Sequence, residues 1–150
     1  MAEVTTNSTL DREVEKRLGD HQVRYTKGRQ AVVIALTGSD GPLSASELHE
    51  RTGGALPLSS IYRSLSVLEE TGILAPHHGT KGLTRYELAE WLKGHHHHLV
   101  CIDCGAVEDV AVADHHESQV DEVVTAISSK ASFRPLNHAL EIEGRCARCA

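Results

Sequence analysis

Large aromatic side chains are scarce in this sequence, which has one tryptophan, one phenylalanine and three tyrosines. With 150 residues, 40% of them hydrophobic, it can bury one ordinary core or two small ones that need reinforcement. It also lacks a run of about 18 apolar residues, the length that spans a bilayer. Its start, residues 1–10, is polar and has no apolar centre of a signal peptide. We therefore expect a cytoplasmic protein with no membrane partner.

Cysteine is limited to four residues, arranged as Cys101-x2-Cys104 and Cys146-x2-Cys149. In a reducing compartment such pairs are more typical of metal thiolates than of disulfides. A thioredoxin-like redox pair would need a βαβ context that is absent, and four unrelated buried thiols are the other alternative. Each pair suits a tight turn that aims two thiolates at one cation. Two such turns predict a closed, structural zinc site that ties the C-terminus to the preceding strand.

Positive charge is in short supply, and the net charge of -6 argues at first against a nucleic-acid partner. The acidic residues lie mostly in the second half, because residues 95–150 carry nine Asp and Glu against four Lys and Arg. Residues 22–39 and 51–68 contain basic residues and no acidic ones. These local basic stripes are where DNA phosphates would bind.

Helical spacing predicts the first helix, and capping signals predict the second and the third. After a disordered tail over residues 1–10, the first helix is expected to run from about Leu10 to residues 19–20. Thr26 is a candidate N-cap for a second helix that stops at Gly38. The segment Ser44 to Glu47 predicts a capping box that begins a third helix, which ends before two glycines at positions 53 and 54.

The fourth helix and the segment after it complete a recognisable arrangement. Pro57 introduces a helix with an apolar stripe of Ile61, Leu65 and Leu68, which ends at Gly72. Residues 73–76 and 84–88 then predict a β-hairpin around a loop at 77–83. Helix, turn, helix and hairpin indicate a winged helix, whose fourth helix enters the major groove.

Tyr62 and Arg63 lie on the predicted exposed side of that fourth helix. They are candidates for contacts to base edges, although ring packing and a surface ion pair would explain the same pattern. The start of the second helix offers basic side chains and free N–H groups to a backbone phosphate. The candidate DNA-binding residues are Arg24, Lys27, Arg29, Ser59, Ser60, Tyr62 and Arg63.

The second half is expected to form a separate small α/β lobe. Strands are predicted at residues 95–102, 107–110 and 138–143, with a helix at 114–130. The predicted domains are a DNA-binding domain at 1–88, a hinge at 89–94 and a metal-binding dimerisation domain at 95–150. The low content of bulky apolar residues again suggests reinforcement by metal and by a partner subunit.

Four consecutive histidines, residues 95–98, stand immediately before Leu99. They are internal and precede strand-forming residues, so an expression tag does not explain them. Because successive strand side chains point to opposite faces, His95 and His97 should serve one site and His96 and His98 another. Four exposed histidines with incidental metal affinity are the alternative.

The order of these motifs resembles the ferric uptake regulator (Fur) superfamily over about residues 20–150. The matching motifs are Ser60-Ile61-Tyr62-Arg63, the hairpin, the histidine-rich strand running into Leu99-Val100-Cys101, the segment from His138 to Gly144, and the terminal Cys146-x2-Cys149. The resemblance implies an α+β protein in which a winged-helix DNA-binding domain precedes an α/β dimerisation domain with a structural zinc site. It also implies a homodimeric, metal-dependent repressor that binds a palindromic operator in double-stranded DNA.

The resemblance implies roles for individual residues as well. The four cysteines match the family's structural zinc site. A regulatory site at the joint between the halves is expected to comprise Glu87, His96, His98 and Asp109, with His78 or Glu90 in reserve. A second inner site is expected to comprise His95, His97, Asp121 and His138. Asp121 is placed there by its spacing to His138.

Three features depart from the family pattern. Pro42 or Leu43 stands where many members place a histidine before the third helix, which leaves the fourth regulatory ligand open. Ala89 and Trp91 stand where zinc-sensing members often supply a cysteine. Residues 111–118 form a longer stretch than usual. Its His115, His116 and Glu117 either replace Asp121, form a surface site or begin a solvated helix.

Zinc is the expected regulatory metal, because zinc-sensing members carry a similar His-His-His-His-Leu-Val-Cys run and nitrogen-rich ligand sets suit zinc or nickel. Iron is the alternative, since carboxylates are available, and manganese or nickel would also fit. A peroxide sensor that works through iron-dependent histidine oxidation is a further alternative.

Two other function classes fit the sequence less well. A zinc hydrolase or deaminase would need a motif such as H-E-x-x-H, or H-x-E followed by P-C-x-x-C, and neither occurs, so we expect no enzyme. A zinc-storage or scaffold protein would not need the helix-turn-helix or the basic stripes.

Overall fold

The chain folds into two units, Met1–Gly94 and His95–Ala150. The structure is a computed structural model that describes residues 2–79 and 81–150, with side chains from Thr9 onward. Met1, in the predicted disordered tail, and Thr80, in the predicted hairpin loop, lie outside the described residues. Helices and strands in both units confirm the predicted α+β class. Among the described helices, none combines the length and the apolar character that crossing a bilayer requires.

Helices dominate the described part of the first unit, and a hairpin follows the fourth of them. The elements are α1 (Ala2–Asp20), α2 (Lys27–Thr37), α3 (Ala45–Arg51), α4 (Leu58–Glu70), β1 (Leu74–His78), β2 (Thr84–Leu88) and α5 (Glu90–Lys93). Helix, turn, helix and hairpin therefore follow one another as the winged-helix prediction requires.

Local capping interactions set where α2 and α3 begin. The Thr26 hydroxyl accepts a hydrogen bond of 3.3 Å from the Arg29 N–H and caps α2. In α3 the Ser44 N–H donates to the Glu47 carboxylate at 2.7 Å, and the Glu47 N–H donates to the Ser44 hydroxyl at 3.2 Å. The predicted cap and capping box are confirmed, and each stabilises its helix by about 1 kcal/mol.

The core of the first unit collects apolar side chains from its helices and from the start of the hairpin. α4 contributes the predicted stripe of Ile61, Leu65 and Leu68, none more than 1% exposed. Burial of each such side chain contributes about 1.5–3 kcal/mol. The other buried members are Val14, Leu18, Val32, Val33, Leu36, Ala45, Leu48, Ile73, Leu74 and Leu88. This core holds α4 by one face and leaves its other face exposed.

The hairpin is longer than predicted and is fixed to α3. β1 extends to His78, which pairs with Thr84, because the turn closes only at Gly79, whose N–H donates to Leu83. Arg85 in β2 forms an ion pair of 3.4 Å with Glu47. Burial opposes ionisation of Glu47, but hydrogen bonds from the Ser44 N–H and from Arg85 outweigh it and lower the pKa of Glu47.

The predicted hinge, residues 89–94, has a defined conformation. Most of it forms α5 and groups with the first unit, because the Ala89 N–H donates to the Ile73 carbonyl at 2.9 Å. The Trp91 indole N–H donates to the Gly72 carbonyl at 2.8 Å, and the Arg17 guanidinium lies 4.3 Å from the Trp91 ring centroid. After α5, Gly94 adopts φ 91°, a conformation that glycine tolerates best.

The predicted disordered tail is also corrected, since α1 begins at Ala2. Leu10, Val14 and Leu18 pack into the core and hold the second half of α1. Once these turns are fixed, each further residue extends the helix at little cost, and residues 2–9 carry neither proline nor glycine to stop it.

The second unit is a three-stranded sheet in the order β4-β3-β5 with one helix. Its elements are β3 (His97–Cys101), β4 (Val107–Val110), α6 (Asp114–Lys130) and β5 (Glu141–Gly144). β3 pairs with β4 antiparallel and with β5 parallel. The helix matches its prediction, but β3 begins two residues and β5 three residues later than predicted. The Leu140 N–H explains the late start of β5, because it donates to His97 Nδ1 at 3.2 Å instead of joining the ladder.

The second unit buries little apolar surface within one chain. Its buried hydrophobic residues among those described are Val100, Cys101 and Val107, whereas Ile127, Phe133 and Leu136 are 65%, 68% and 89% exposed. So small a core cannot offset the conformational entropy of 56 ordered residues. This unit therefore needs further stabilisation.

Candidate metal centres and DNA-binding surface

The four cysteines come together because β3 and β5 are parallel neighbours. Cys101 ends β3 opposite Gly144, so the turns that follow the two strands lie side by side. The four Sγ atoms all lie within 4.8 Å of one another, and none of the thiols is in a disulfide. Two pairs far apart in the chain thus form one donor set.

Hydrogen bonds give Cys101, Cys146 and Cys149 different acidities. The pKa of Cys101 is lowered to about 6, mainly by a hydrogen bond from the backbone N–H of Cys104 and next by one from the backbone N–H of Cys146. Another, from the Arg148 N–H, lowers the pKa of Cys146. The hydrogen bond between the Cys149 thiol and Cys146, together with the partial burial of Cys149, raises the pKa of Cys149 to about 12. The set therefore combines thiols that ionise more readily than usual with one that resists ionisation, and a bound cation would favour the deprotonated form of all four.

Sulfur spacing shows that this donor set fits zinc. Zn–S bonds of about 2.3 Å in a tetrahedron separate the sulfurs by roughly 3.8 Å. The Cys104 and Cys146 sulfurs are 3.8 Å apart. The residues present can therefore hold a tetrahedral zinc ion.

A second donor set gathers on one side of β3. His95 Nε2 and His138 Nε2 lie 3.0 and 2.7 Å from Glu117 Oε1, and His97 Nε2 lies 2.8 Å from Glu117 Oε2. His97 is 1% exposed, and the donor atoms of all four residues lie within 4.8 Å of one another. The hydrogen bond from His97, and then those from His138 and His95, lower the pKa of Glu117 to about 2 against the opposing effect of burial. The set is therefore three imidazoles around an ionised carboxylate.

Glu117, and not Asp121, is the carboxylate of this set, which corrects the sequence prediction. Asp121 lies one turn further along α6, with its Oδ1 3.6 Å from the other ring nitrogen of His138 and its side chain 65% exposed. Both carboxylates are on one helix face, so spacing to His138 could not distinguish them. Glu117 is the alternative to Asp121 that the sequence offers among residues 111–118. The rings of His115 and His116 are tilted against each other, with centroids 3.9 Å apart, and both residues are exposed outside the set.

A third donor set lies on the other side of β3, as strand alternation predicts. His98 pairs with Asp109 across β3 and β4, and His98 Nε2 is 3.4 Å from Asp109 Oδ1. His96 Nε2 is 3.6 Å from the same oxygen, and the two imidazole centroids are 4.9 Å apart. Two nitrogens and one carboxylate oxygen thus converge, and they suit a divalent cation such as zinc, nickel or iron.

The other residues predicted for the regulatory site belong to the first unit. Glu87 lies on β2 opposite Ala75, and its carboxylate forms an ion pair of 3.7 Å with Lys93. His78 ends β1, with Nδ1 3.4 Å from the Thr84 hydroxyl. Glu90 begins α5 and its side chain is exposed. Their part in metal binding stays a prediction.

The candidate DNA-binding residues lie on exposed parts of the first unit. Tyr62 is 52% exposed and Arg63 is exposed beside it on α4, opposite the buried stripe. Ser59 and Ser60 lie in the first turn of α4, and that turn contains no acidic residue.

The start of α2 is also held in a defined conformation. The Arg29 guanidinium donates to the Arg24 carbonyl at 2.6 Å, and Lys27 is exposed in the first turn. The Tyr25 hydroxyl donates to Asp11 at 2.8 Å and links this segment to α1. Basic side chains therefore gather around the first turn of α2, an arrangement that suits phosphate binding at a helix N-terminus.

Comparison with known proteins identifies the family. Residues 20–143 match the Ferric uptake regulator family. The chain is 30% identical over 145 residues to the ferric uptake regulation protein of Bacillus subtilis, covering 93% of both chains. The solved Helicobacter pylori ferric uptake regulator, described as having three functional metal binding sites, matches at a TM-score of 0.75 and 25% identity, over 95% of this chain and 93% of that one.

A second solved structure, the ferric uptake regulator of Vibrio cholerae, has DNA-binding domains described as rearranged. It matches at a TM-score of 0.72 and 27% identity, over 88% of this chain and 98% of that chain. The chain therefore belongs to the ferric uptake regulator family, whose members are metal-responsive transcription regulators that bind DNA as dimers and are not enzymes.

Proposed function

We propose that this chain is a zinc-responsive repressor that binds a palindromic operator as a homodimer in the cytoplasm and controls metal uptake genes. The observation that carries the proposal is the pair of donor sets on the two sides of β3, which begins three residues after the first unit ends at Gly94. Metal ligands at the boundary between a winged helix and a second unit are placed to couple metal binding to DNA binding.

We infer that Glu87 completes the regulatory site with His96, His98 and Asp109. Glu87 belongs to the winged unit and the other three belong to the second unit. When bound, a divalent cation would supply coordination bonds and positive charge. The four ligands would then hold the two units in one relative orientation. A hundredfold preference of the metal for that orientation shifts the equilibrium by about 2.7 kcal/mol, enough to switch a marginally biased hinge.

Imidazole donors favour zinc over iron at both histidine sets. Three of the four donors in the second set and two of the three gathered in the third are nitrogens, and such sets suit zinc or nickel. Iron is the second candidate, since curated relatives carry the name ferric uptake regulation protein and both sets contain a carboxylate. The four cysteines would hold a separate, structural zinc.

Dimer formation would cover the apolar side chains that one copy of the second unit leaves exposed, among them Ile127, Phe133 and Leu136. A two-fold dimer presents two copies of α4 to successive major grooves. The operator is therefore expected to be palindromic, with half-sites about 10 bp apart or a multiple of that.

A mobility-shift titration tests the proposal. The dimer is first stripped of exchangeable metal while the zinc bound by the cysteines is retained. Its binding to operator fragments selected from genomic DNA is then measured with zinc, iron(II), manganese or nickel added. We expect tight binding with zinc and at least about a hundredfold weaker binding with chelator. Undiminished binding by stripped, folded dimer would refute metal control, and activation by iron at lower free concentration than by zinc would favour the second candidate.

Arg63→Ala is expected to relax sequence preference. An arginine that reads a base edge contributes about 1–3 kcal/mol of discrimination, so operator affinity should fall about tenfold to a hundredfold while binding to random DNA barely changes. Lys27→Ala is the comparison variant. Loss of a phosphate contact should weaken binding to operator and to random DNA alike, and it should lower the slope of log affinity against log salt concentration by about one. Equal losses on operator and random DNA would show that Arg63 contacts only the backbone.

Glu117→Gln is expected to weaken metal binding at the second set far more than Asp121→Asn does. Glu117 contacts three imidazoles, whereas Asp121 contacts only the far nitrogen of His138. We expect at least about a hundredfold loss for Glu117→Gln and about tenfold or less for Asp121→Asn. Competition titration with a zinc indicator measures both affinities, and a larger loss for Asp121→Asn would show that Asp121, not Glu117, is the ligand.

A further inference from the structure

Lys93 forms an ion pair with the residue proposed to link the winged unit to the regulatory metal. Its Nζ lies 3.7 Å from Glu87 Oε2, and the two side chains are 22% and 11% exposed. Both residues belong to the first unit. The positive charge therefore sits beside a largely buried carboxylate.

Backbone packing, rather than the ion pair, places Lys93 there. The Lys93 N–H donates to the Ala89 carbonyl at 3.0 Å, and Ala89 is itself bonded to Ile73. Trp91, in the same turn, donates to Gly72 and lies against Arg17. The single turn of α5 is thus fixed to the same unit as β2, and it carries the ammonium group to the end of the strand where Glu87 lies.

We propose that Lys93 is a built-in counter-ion of Glu87 with which the regulatory metal must compete, so that Lys93 sets the metal concentration at which the regulator responds. The proposal rests on the proposed function, in which Glu87 is a ligand. In the metal-free protein Lys93 partly neutralises the Glu87 carboxylate. When metal binds, the ammonium group either leaves Oε2 or stays as a like charge close to the cation.

Both possibilities lower the affinity for metal. Unit charges about 4 Å apart interact appreciably even in water and more strongly in a partly buried site, and a dication doubles this interaction. Solvent reaches Lys93, which reduces the effect. Lys93 should therefore weaken metal binding about tenfold relative to an uncharged side chain of the same length.

The opposite role is also testable. A lysine that orients the Glu87 carboxylate would strengthen metal binding, as hydrogen-bonded neighbours of metal ligands usually do. Lys93→Met keeps the aliphatic stem and removes the charge, and Lys93→Arg keeps the charge. Lys130→Met, at the end of α6, is a matched change of an exposed lysine in the other unit.

The experiment measures zinc affinity directly by competition with a fluorescent zinc indicator, on full-length dimer with the cysteine zinc retained. We expect Lys93→Met to bind zinc about tenfold more tightly and to reach half-maximal operator binding at about tenfold lower free zinc. Lys93→Arg and Lys130→Met should behave like the parent. Unchanged or weaker zinc binding by folded Lys93→Met would overturn the proposal.

A double-mutant cycle separates this proposal from the proposed function. Glu87→Gln alone should weaken zinc binding and metal-dependent operator binding, and Lys93→Met should gain much less than tenfold in the Glu87→Gln background. An undiminished gain in that background would overturn the pairing with Glu87. Parent-like zinc response of Glu87→Gln itself would instead contradict the proposed role of Glu87 as a ligand.

Discussion

Replacing Cys146 and Cys149 together by serine is expected to unfold residues 95–150 while the first unit stays folded. The second unit buries only three hydrophobic residues among those described, and all four residues of β5 are exposed. Structural zinc supplies about 10–16 kcal/mol in small zinc domains, as much as or more than the total stability of most domains. Loss of two thiolates should therefore remove both the zinc and the fold of this unit, and operator affinity should fall at least about a hundredfold.

Circular dichroism, zinc analysis and the fluorescence of Trp91 measure the outcome separately. Trp91 is the one tryptophan of the sequence and packs within the first unit, so its unfolding transition should persist. Ala147→Ser with Ala150→Ser is the matched control, because these exposed residues flank the same cysteines. A zinc-free double variant with a folded second unit and parent-like operator binding would show that the cysteines do not stabilise the fold.

Local sequence signals correctly predicted those features of the structure that are determined by residues close together in the chain. Thr26 and the Ser44–Glu47 box fix the starts of α2 and α3 through bonds within three residues. Strand alternation likewise placed the rings of His95 and His97 apart from those of His96 and His98. Such features depend on backbone geometry that a short segment determines by itself.

Tertiary contacts decided the features that the sequence did not reveal. Spacing could not distinguish Glu117 from Asp121, because both lie on the face of α6 that meets His138. The late start of β5 depends on a bond between Leu140 and His97, which are 43 residues apart. Nothing in the sequence indicated that Lys93 would pair with Glu87. The two residues are six positions apart, and the end of β2 and the turn of α5 lie between them.

Replacing both His96 and His98 by alanine is expected to abolish metal-dependent operator binding without unfolding the protein. Both rings contact Asp109 and are only partly buried, and neither belongs to the set around the 1%-exposed His97. Removal of two ligands should reduce affinity at the regulatory site beyond the metal concentrations that activate the parent. Operator affinity in the presence of zinc should then fall about a hundredfold, to the level of the stripped parent.

His115→Ala with His116→Ala is the matched control, since this adjacent histidine pair lies outside the three donor sets. It should leave zinc-dependent operator binding unchanged. The expected loss of operator affinity equals the loss caused by stripping metal from the parent. A chelator should therefore not lower the operator affinity of the His96→Ala, His98→Ala variant any further. If that variant still binds the operator in a zinc-dependent manner, the switch must lie in the set of His95, His97, Glu117 and His138, and the side of β3 that faces Asp109 would not be the regulatory one.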